Sequence, residues 1–257
     1  MKLKKTNKYL NIILPLAIIL LFVGVWFLSY VVVGEEIIIP SPINVLKEIF
    51  LLFGRWYFWK CLAGTLLRAL CAFCVSFVLA WGLVLIFKFC PNMRLCVRIF
   101  ISICRALPTI AIILILLLWT TSNVASISVT IFVVLPVIFS SILDSLDKID
   151  PQIIDMFRVF KISKKTQMQK YIIPQLIPST IETIGRGFSL NLKLIVASEV
   201  LAGVAKSIGS MMSQSKIYFE TAELFALVII TIILAVLIEL VFSRFAQGVK
   251  ENAFKKR

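Results

Sequence analysis

The chain has 257 residues, 60% of them hydrophobic and 16% charged, with a formal net charge of +14 and a mean hydropathy of +1.02. A soluble domain holds about 45–50% apolar residues, so disorder, collagen, a DNA-binding domain and a secreted disulfide scaffold are excluded, and the length divides better into membrane spans of about 20 apolar residues. Histidine is absent, which removes imidazole metal ligands, Ser-His-Asp triads and His proton shuttles at once.

The predicted elements begin after the basic start MKLKKTNKYL. The apolar run 10–33 is too long for a signal-peptide core and lacks a small-residue cleavage pattern, so a retained first span is expected. The sequence GEEIIIPSP breaks it, and Pro42 then sits at the first turn of an amphipathic interfacial helix, PINVLKEIFLLF. Trp56, Tyr57 and Trp59 mark a water–lipid boundary. A second span is predicted over 61–87. The basic, Pro-broken KFCPNMRLCVR separates it from a third over 100–119, and the uncharged TTSN precedes a fourth over 124–143. Residues 144–175 are rich in both signs of charge and form a polar, helix-prone loop. A fifth span, 179–201, carries Arg186, Asn191, Lys193 and Glu199; a sixth, 222–242, precedes the basic tail ending FKKR. Without repeats or low-complexity linkers, 1–257 is expected to form a single transmembrane domain, with a first helix 10–33, core helices 61–242 and the polar loop 144–175 between them.

Cys61, Cys71, Cys74, Cys90, Cys96 and Cys104 lie in the second and third spans and their connecting loop, where buried thiols are common. Cys71 and Cys74 spell C-x-x-C with no second pair to complete a metal site, so reduced structural cysteines and no metal are expected.

Lys and Arg in short loops stay on the cytoplasmic side. With the N-terminus inside, that side gathers the basic start, Lys88, Arg94, Arg98, Arg105, the cations of 144–175 and the tail, against only Lys47, Arg55, Lys60, Lys206 and Lys216 outside. Six spans with both termini cytoplasmic therefore explain the charge by orientation rather than by nucleic acid.

Within the loop, Asp150 and Pro151 make a sound helix start for PQIIDMFRVF. Ser163 can cap a second helix, KKTQMQKYII, which Pro174 is expected to stop. Ile153, Ile154, Phe157, Val159 and Phe160 give it an apolar surface, covered either by the protein's own spans or by a cytoplasmic partner.

The stretch DPQIIDMFRVFKISKKTQMQKYIIPQLIP resembles the coupling loop of binding-protein-dependent ABC importer permeases, whose pattern is E-A-A-x3-G-x9-I-x-L-P. Asp155 falls at the Glu, Met156 and Phe157 at the two Ala, and Lys161 at the Gly, while Tyr171, Ile173 and Pro174 end the match. Without that Gly the turn between the helices is expected to close differently. IPSPINVLKEI, Leu67 with Arg68, RALPTIA and LKLIVASEVLAG resemble segments of the nitrate, sulfonate and taurine branch. The resemblance implies an all-α, MetI-like (type I) permease fold of about six transmembrane helices in a bacterial inner membrane. It also implies that this chain holds no cofactor and that cytoplasmic ATPase subunits binding ATP and Mg dock on 150–174. An outer solute-binding protein would deliver substrate, and a second permease copy would complete the path.

Arg186 and Lys193 share a face of the fifth span and Glu199 points away. They either line a path that favours an anion or pair with other spans and snorkel. Arg68 is read as a packing residue near the start of the second span, and 203–220 as either a gate folded into the outer mouth or a surface loop. The residues thus suit an importer permease for a small polar or anionic solute. A vitamin-transporter scaffold would also dock ATPases. An intramembrane enzyme would need a nucleophile and base that scattered Ser and carboxylates do not supply, so no catalytic residue is expected.

Overall fold

The computed structural model describes residues 10–255; the basic residues Lys2, Lys4, Lys5, Lys8, Lys256 and Arg257 of the orientation argument lie outside the described residues. Every regular element described is a helix. Helix α1 (Leu10–Val33) is apolar and uncharged along its length. Helix α2 (Pro42–Gly54) starts where the Ser41 hydroxyl accepts the Asn44 N–H at 3.1 Å, with proline at its first turn. Helix α3 (Trp56–Phe89) runs for 34 residues.

The third predicted span is not straight. Helix α4 (Arg94–Ala106) and helix α5 (Thr109–Leu117) meet at 88°. Pro108 disfavours helical geometry in the residue before it and cannot donate to a helical ladder, so Leu107 turns extended at ψ 126° and the chain bends there. Helix α6 (Ser122–Asp147) continues through Pro136.

Helix α7 (Pro151–Val159) and helix α8 (Lys164–Gln167) form the polar loop, joined through a π-helical turn, Met168–Ile172, to helix α9 (Ile173–Ala202). Pro174 therefore does not stop a helix. It sits at the first turn of α9, where its missing N–H is least costly, directly after the widened turn. Helix α10 (Ile208–Ile217) occupies most of the segment read as gate or loop, and helix α11 (Thr221–Lys255) ends the fold.

Three described helices are long and apolar enough to cross a membrane, in α3, α6 and α11, or up to four if the bent α4–α5 pair is one span. Six were expected. Among the described side chains α1 contributes an apolar helix over Ala17–Val33, and the polar residues of α9 dilute its 30-residue length.

The chain divides into two compact units, Met1–Trp59 with Met211–Ile230, and Lys60–Ser210 with Thr231–Arg257. In the first, Trp26 donates to the Pro40 carbonyl at 3.2 Å and stacks on Phe225, while Thr221 donates to the Glu36 carbonyl at 2.8 Å. In the second, α6 packs along α9, with α4 and α5 against α6. Its core joins Phe73, Val84, Val97, Ile101, Val134 and Ile138. Small residues bring the α9 backbone close to its neighbours: a Cβ on Gly185 would lie 2.5 Å from Phe242 Cβ. Buried hydroxyls bridge as well, Ser126 to Ser198 at 2.5 Å, and Asn191 donates to the Ala69 carbonyl at 2.7 Å.

Candidate functional site

The first candidate is the polar loop. The Asp150 carboxylate accepts the Gln152 N–H at 2.9 Å, capping α7, and the Ser163 hydroxyl accepts the Thr166 N–H at 3.2 Å, capping α8. Between them Lys161 holds φ at +51°. The Ile162 N–H bonds the Phe157 carbonyl at 3.0 Å and the Lys161 N–H bonds the Arg158 carbonyl at 3.2 Å. This is the Schellman helix stop, which favours glycine at its left-handed position. The turn thus closes by the route glycine would take, with lysine in the strained conformation; the expected different closure does not occur.

Phe157 packs edge-on against Tyr171 at 5.4 Å between centroids and so ties α7 to the π-turn. Asp155 pairs with Arg158 at 3.0 Å on the surface. Met156, Val159, Phe160 and Ile173 are exposed, as are Lys161 and Pro174. The structure therefore joins Phe157 to Tyr171, and sets Met156 beside two residues outside the matched pattern, Val159 and Phe160, in an open apolar patch.

The second candidate lies inside the helices. Glu199 is fully buried on α9 and receives Arg68 Nε at 2.7 Å, the Thr65 hydroxyl at 2.9 Å and the Gly209 N–H at 3.3 Å. Thr65 accepts the Ile208 N–H at 2.9 Å, and the Ser207 hydroxyl accepts the Ser210 N–H at 2.8 Å. The first N–H groups of α10 are thus satisfied by side chains, one of them a carboxylate placed at the positive end of the helix dipole. Arg68 also reaches the Lys206 carbonyl at 3.4 Å and Asn123 at 3.5 Å. Two glycines permit the approach: a Cβ on Gly209 would lie 2.6 Å from Val200 N, and one on Gly64 2.9 Å from Lys206 O.

Arg186 and Lys193 stand apart from this cluster. Both are exposed, in line with Ala197 and Leu201 on one stripe of α9. Arg186 pairs with Glu182 one turn earlier at 3.2 Å. Reasoning from sequence named Glu199 without its partners; a lone Arg and a lone Glu in separate apolar spans was the available signal, since such charges pair. No sequence signal singled out Thr65 or Glu182, and Gly209 was read only as part of the 203–220 gate or loop.

In the other unit, Glu36, Glu48, Glu220 and Glu223 surround Arg55 in an open pocket of about 360 Å³. Arg55 donates to Glu223 at 2.6 Å and to Glu48 at 2.9 Å, and the hydrogen bond it gives Glu223 holds its guanidinium pKa above the ordinary value. Among the described residues no group of three or more His, Cys, Asp or Glu could hold a metal ion, and none of the six cysteines is in a disulfide.

Residues 80–251 match the family described as binding-protein-dependent transport system inner membrane component. The chain belongs to that family. It is thus a permease subunit of an ABC importer, a transport subunit and a multi-pass membrane protein. The permease is similar to a crystal structure of an amino acid ABC transporter with histidines, at a TM-score of 0.60 and 18% identity, covering 76% of this chain and 94% of that one. It is also similar to the MetNI methionine ABC transporter in inward-facing conformations, at 0.59 and 18%, covering 74% and 93%. At such identity the likeness shows the fold, which is the all-α MetI-like permease fold. No curated protein matches.

Proposed function

We propose that this permease carries a small polar or anionic solute of the nitrate, sulfonate, taurine or vitamin-precursor kind. It works in the inner membrane as one of two identical copies, each a single transmembrane domain with cytoplasmic termini. Residues 150–174 dock on ATPase subunits that bind ATP and Mg, and an outer solute-binding protein supplies the substrate. The observation that carries the docking claim is the paired helix α7 and α8, capped at both starts and locked at Lys161 and Phe157–Tyr171, which presents Met156, Val159 and Phe160 outward. Exposed apolar side chains on a rigid charged loop suit burial in a protein groove. Asp155 and Lys161 add charges at its rim.

Substrate class rests on the exposed α9 stripe, where Arg186 and Lys193 outnumber the single carboxylate of Glu182. Glu199 supports the path from behind, through its bonds to α3 and to the start of α10. The amino acid and methionine handled by the two structural neighbours belong to those proteins, and fold likeness carries no substrate with it.

The test is affinity purification of the tagged permease in mild detergent. An ATP-binding subunit should co-purify with the wild type and be lost from a Phe160→Glu variant that elutes as the same folded species. Stoichiometric ATPase subunit on the variant would defeat the docking claim. Ligand screening of the recovered binding protein then tests the substrate class.

A further inference from the structure

Helix α4 has three faces. Val97, Ile101 and Cys104 are buried against the helix bundle. Leu95, Ile99 and Ile103 are exposed and apolar. Arg94, Arg98 and Arg105 fall within about 40° of one another at the helical repeat, beside the buried face, and all three are exposed. The helix contains no acidic residue, and among the described residues none of the three arginines forms an ion pair with a carboxylate.

The bend between α4 and α5 bears on how this helix meets a membrane. Helix α5, TIAIILILL, is uncharged and apolar beyond Thr109, and α4 leaves it at 88°. With α5 along the bilayer normal, α4 lies in the plane of the interface. An interfacial helix sinks its apolar face to the acyl boundary and keeps its cations at headgroup level. The guanidiniums are also held in place. Arg94 and Arg98 both stack on the Phe87 ring, at 5.6 and 5.4 Å, and Arg94 Nε donates to the Phe87 carbonyl at 2.9 Å. Arg105 donates to Ser140 and to the Pro136 carbonyl. Each arginine retains donors beyond those contacts, and guanidinium forks match phosphate oxygens.

We propose that α4 is an interfacial helix whose Arg94, Arg98 and Arg105 bind the phosphate of anionic lipid headgroups while Leu95, Ile99 and Ile103 contact the acyl chains. Charge complementarity and the adjoining exposed apolar row select an anionic lipid over a second copy of the chain. A protein partner would have to bring acidic groups and an apolar surface to the same strip.

The test is native mass spectrometry of the full-length permease in detergent, titrated with dioctanoyl-phosphatidylglycerol or with the matching phosphatidylcholine. The wild type should bind phosphatidylglycerol more tightly. At about 1 kcal/mol per basic residue near anionic lipid, Arg94→Gln/Arg98→Gln should raise its dissociation constant roughly 30-fold, and Arg94→Lys/Arg98→Lys should restore most of the binding. Equal affinity for both lipids in the wild type overturns the proposal, as does unchanged phosphatidylglycerol affinity in the Gln pair. Loss of self-association in place of lipid binding assigns the strip to a second copy, and overturns it too. If the Gln pair does not fold, the wild-type headgroup comparison decides alone.

Discussion

Helix α9 carries two ion pairs in opposite circumstances. Near its C-terminal end, the Glu199 side chain is 0% exposed and that of Arg68 15%, and every bond they make is to another element. Four turns earlier, Arg186 and Glu182 are 65% and 46% exposed and are joined only to each other, within one helix. The first pair is held by its surroundings and the second by helical spacing alone. A broken buried pair leaves an uncompensated charge in low dielectric, whereas a broken exposed pair is re-solvated. Glu199→Ala should therefore destabilise the permease by about 3–5 kcal/mol. The readout is the thermal midpoint of the purified protein. A double variant, Arg68→Leu/Glu199→Leu, should recover much of the loss, because removing both charges removes the stranded one. An unchanged midpoint in Glu199→Ala would show that the pair is no more than a bystander.

The buried pair can also be attacked without touching a charge. Gly209→Ala places a methyl 2.6 Å from Val200 N and 2.8 Å from the Glu199 carbonyl carbon, both backbone atoms that cannot rotate away. The start of α10 must then retreat from α9, taking the Gly209 N–H off the Glu199 carboxylate. Overpacking of this kind costs about 1–3 kcal/mol. The same substitution at Gly82, which has nothing within 4 Å of its Cβ position, should be neutral or slightly stabilising, since Ala is the better helix former. Equal effects at the two sites would mean that contact with α9 is not what makes Gly209 necessary.

How far each region was legible follows from where its information resides. Local signals were readable: Pro42 begins the helix it was expected to begin, and Asp150 with Pro151, and Ser163, cap the helices they were expected to cap, because capping needs only neighbours within three residues. The bend at Leu107–Pro108 was also written locally, yet the apolar run across it masked the proline, and a straight third span was expected. Pro174 misled in the opposite direction, because a preceding π-turn lets a proline begin a helix. The Arg68–Glu199 pair joins residues 131 positions apart, and nothing in either segment names the other. Hydropathy likewise located apolar runs but not how polar a buried helix such as α9 may be while packing its hydroxyls and its carboxylate inward.

The loop offers a smaller effect with the opposite sign. Lys161 holds a left-handed conformation that costs a side-chain-bearing residue about 1–2 kcal/mol, offset by the 0.5–1 kcal/mol that glycine loses in chain entropy. Lys161→Gly should thus stabilise the α7–α8 turn by about 0.5–1 kcal/mol. Hydrogen exchange of the Ile162 amide, whose bond to the Phe157 carbonyl closes the turn, should slow severalfold. Faster exchange would mean that the lysine side chain holds the turn through contacts of its own.

The exposed pair should give the smallest change in stability where it faces water, and a larger, stabilising change where it faces lipid. If the α9 stripe faces an aqueous path, Arg186→Gln removes one exposed i,i+4 pair and shifts stability by no more than about 0.5 kcal/mol. If the stripe faces lipid, the same variant removes a charge that costs about 2.5–3.5 kcal/mol at membrane depth, and the permease becomes more stable. The thermal midpoint of the variant beside Glu182→Gln distinguishes these cases, because the glutamate variant leaves Arg186 charged. Uptake supplies the second axis. A path-lining Arg186 predicts weakened transport of an anion in a protein of unchanged stability, and the adjacent Lys193→Met should act in the same direction. Raised stability with unchanged uptake would move the stripe out of the path and leave the buried Glu199 region as the only charged element of α9 tied to the transport machinery.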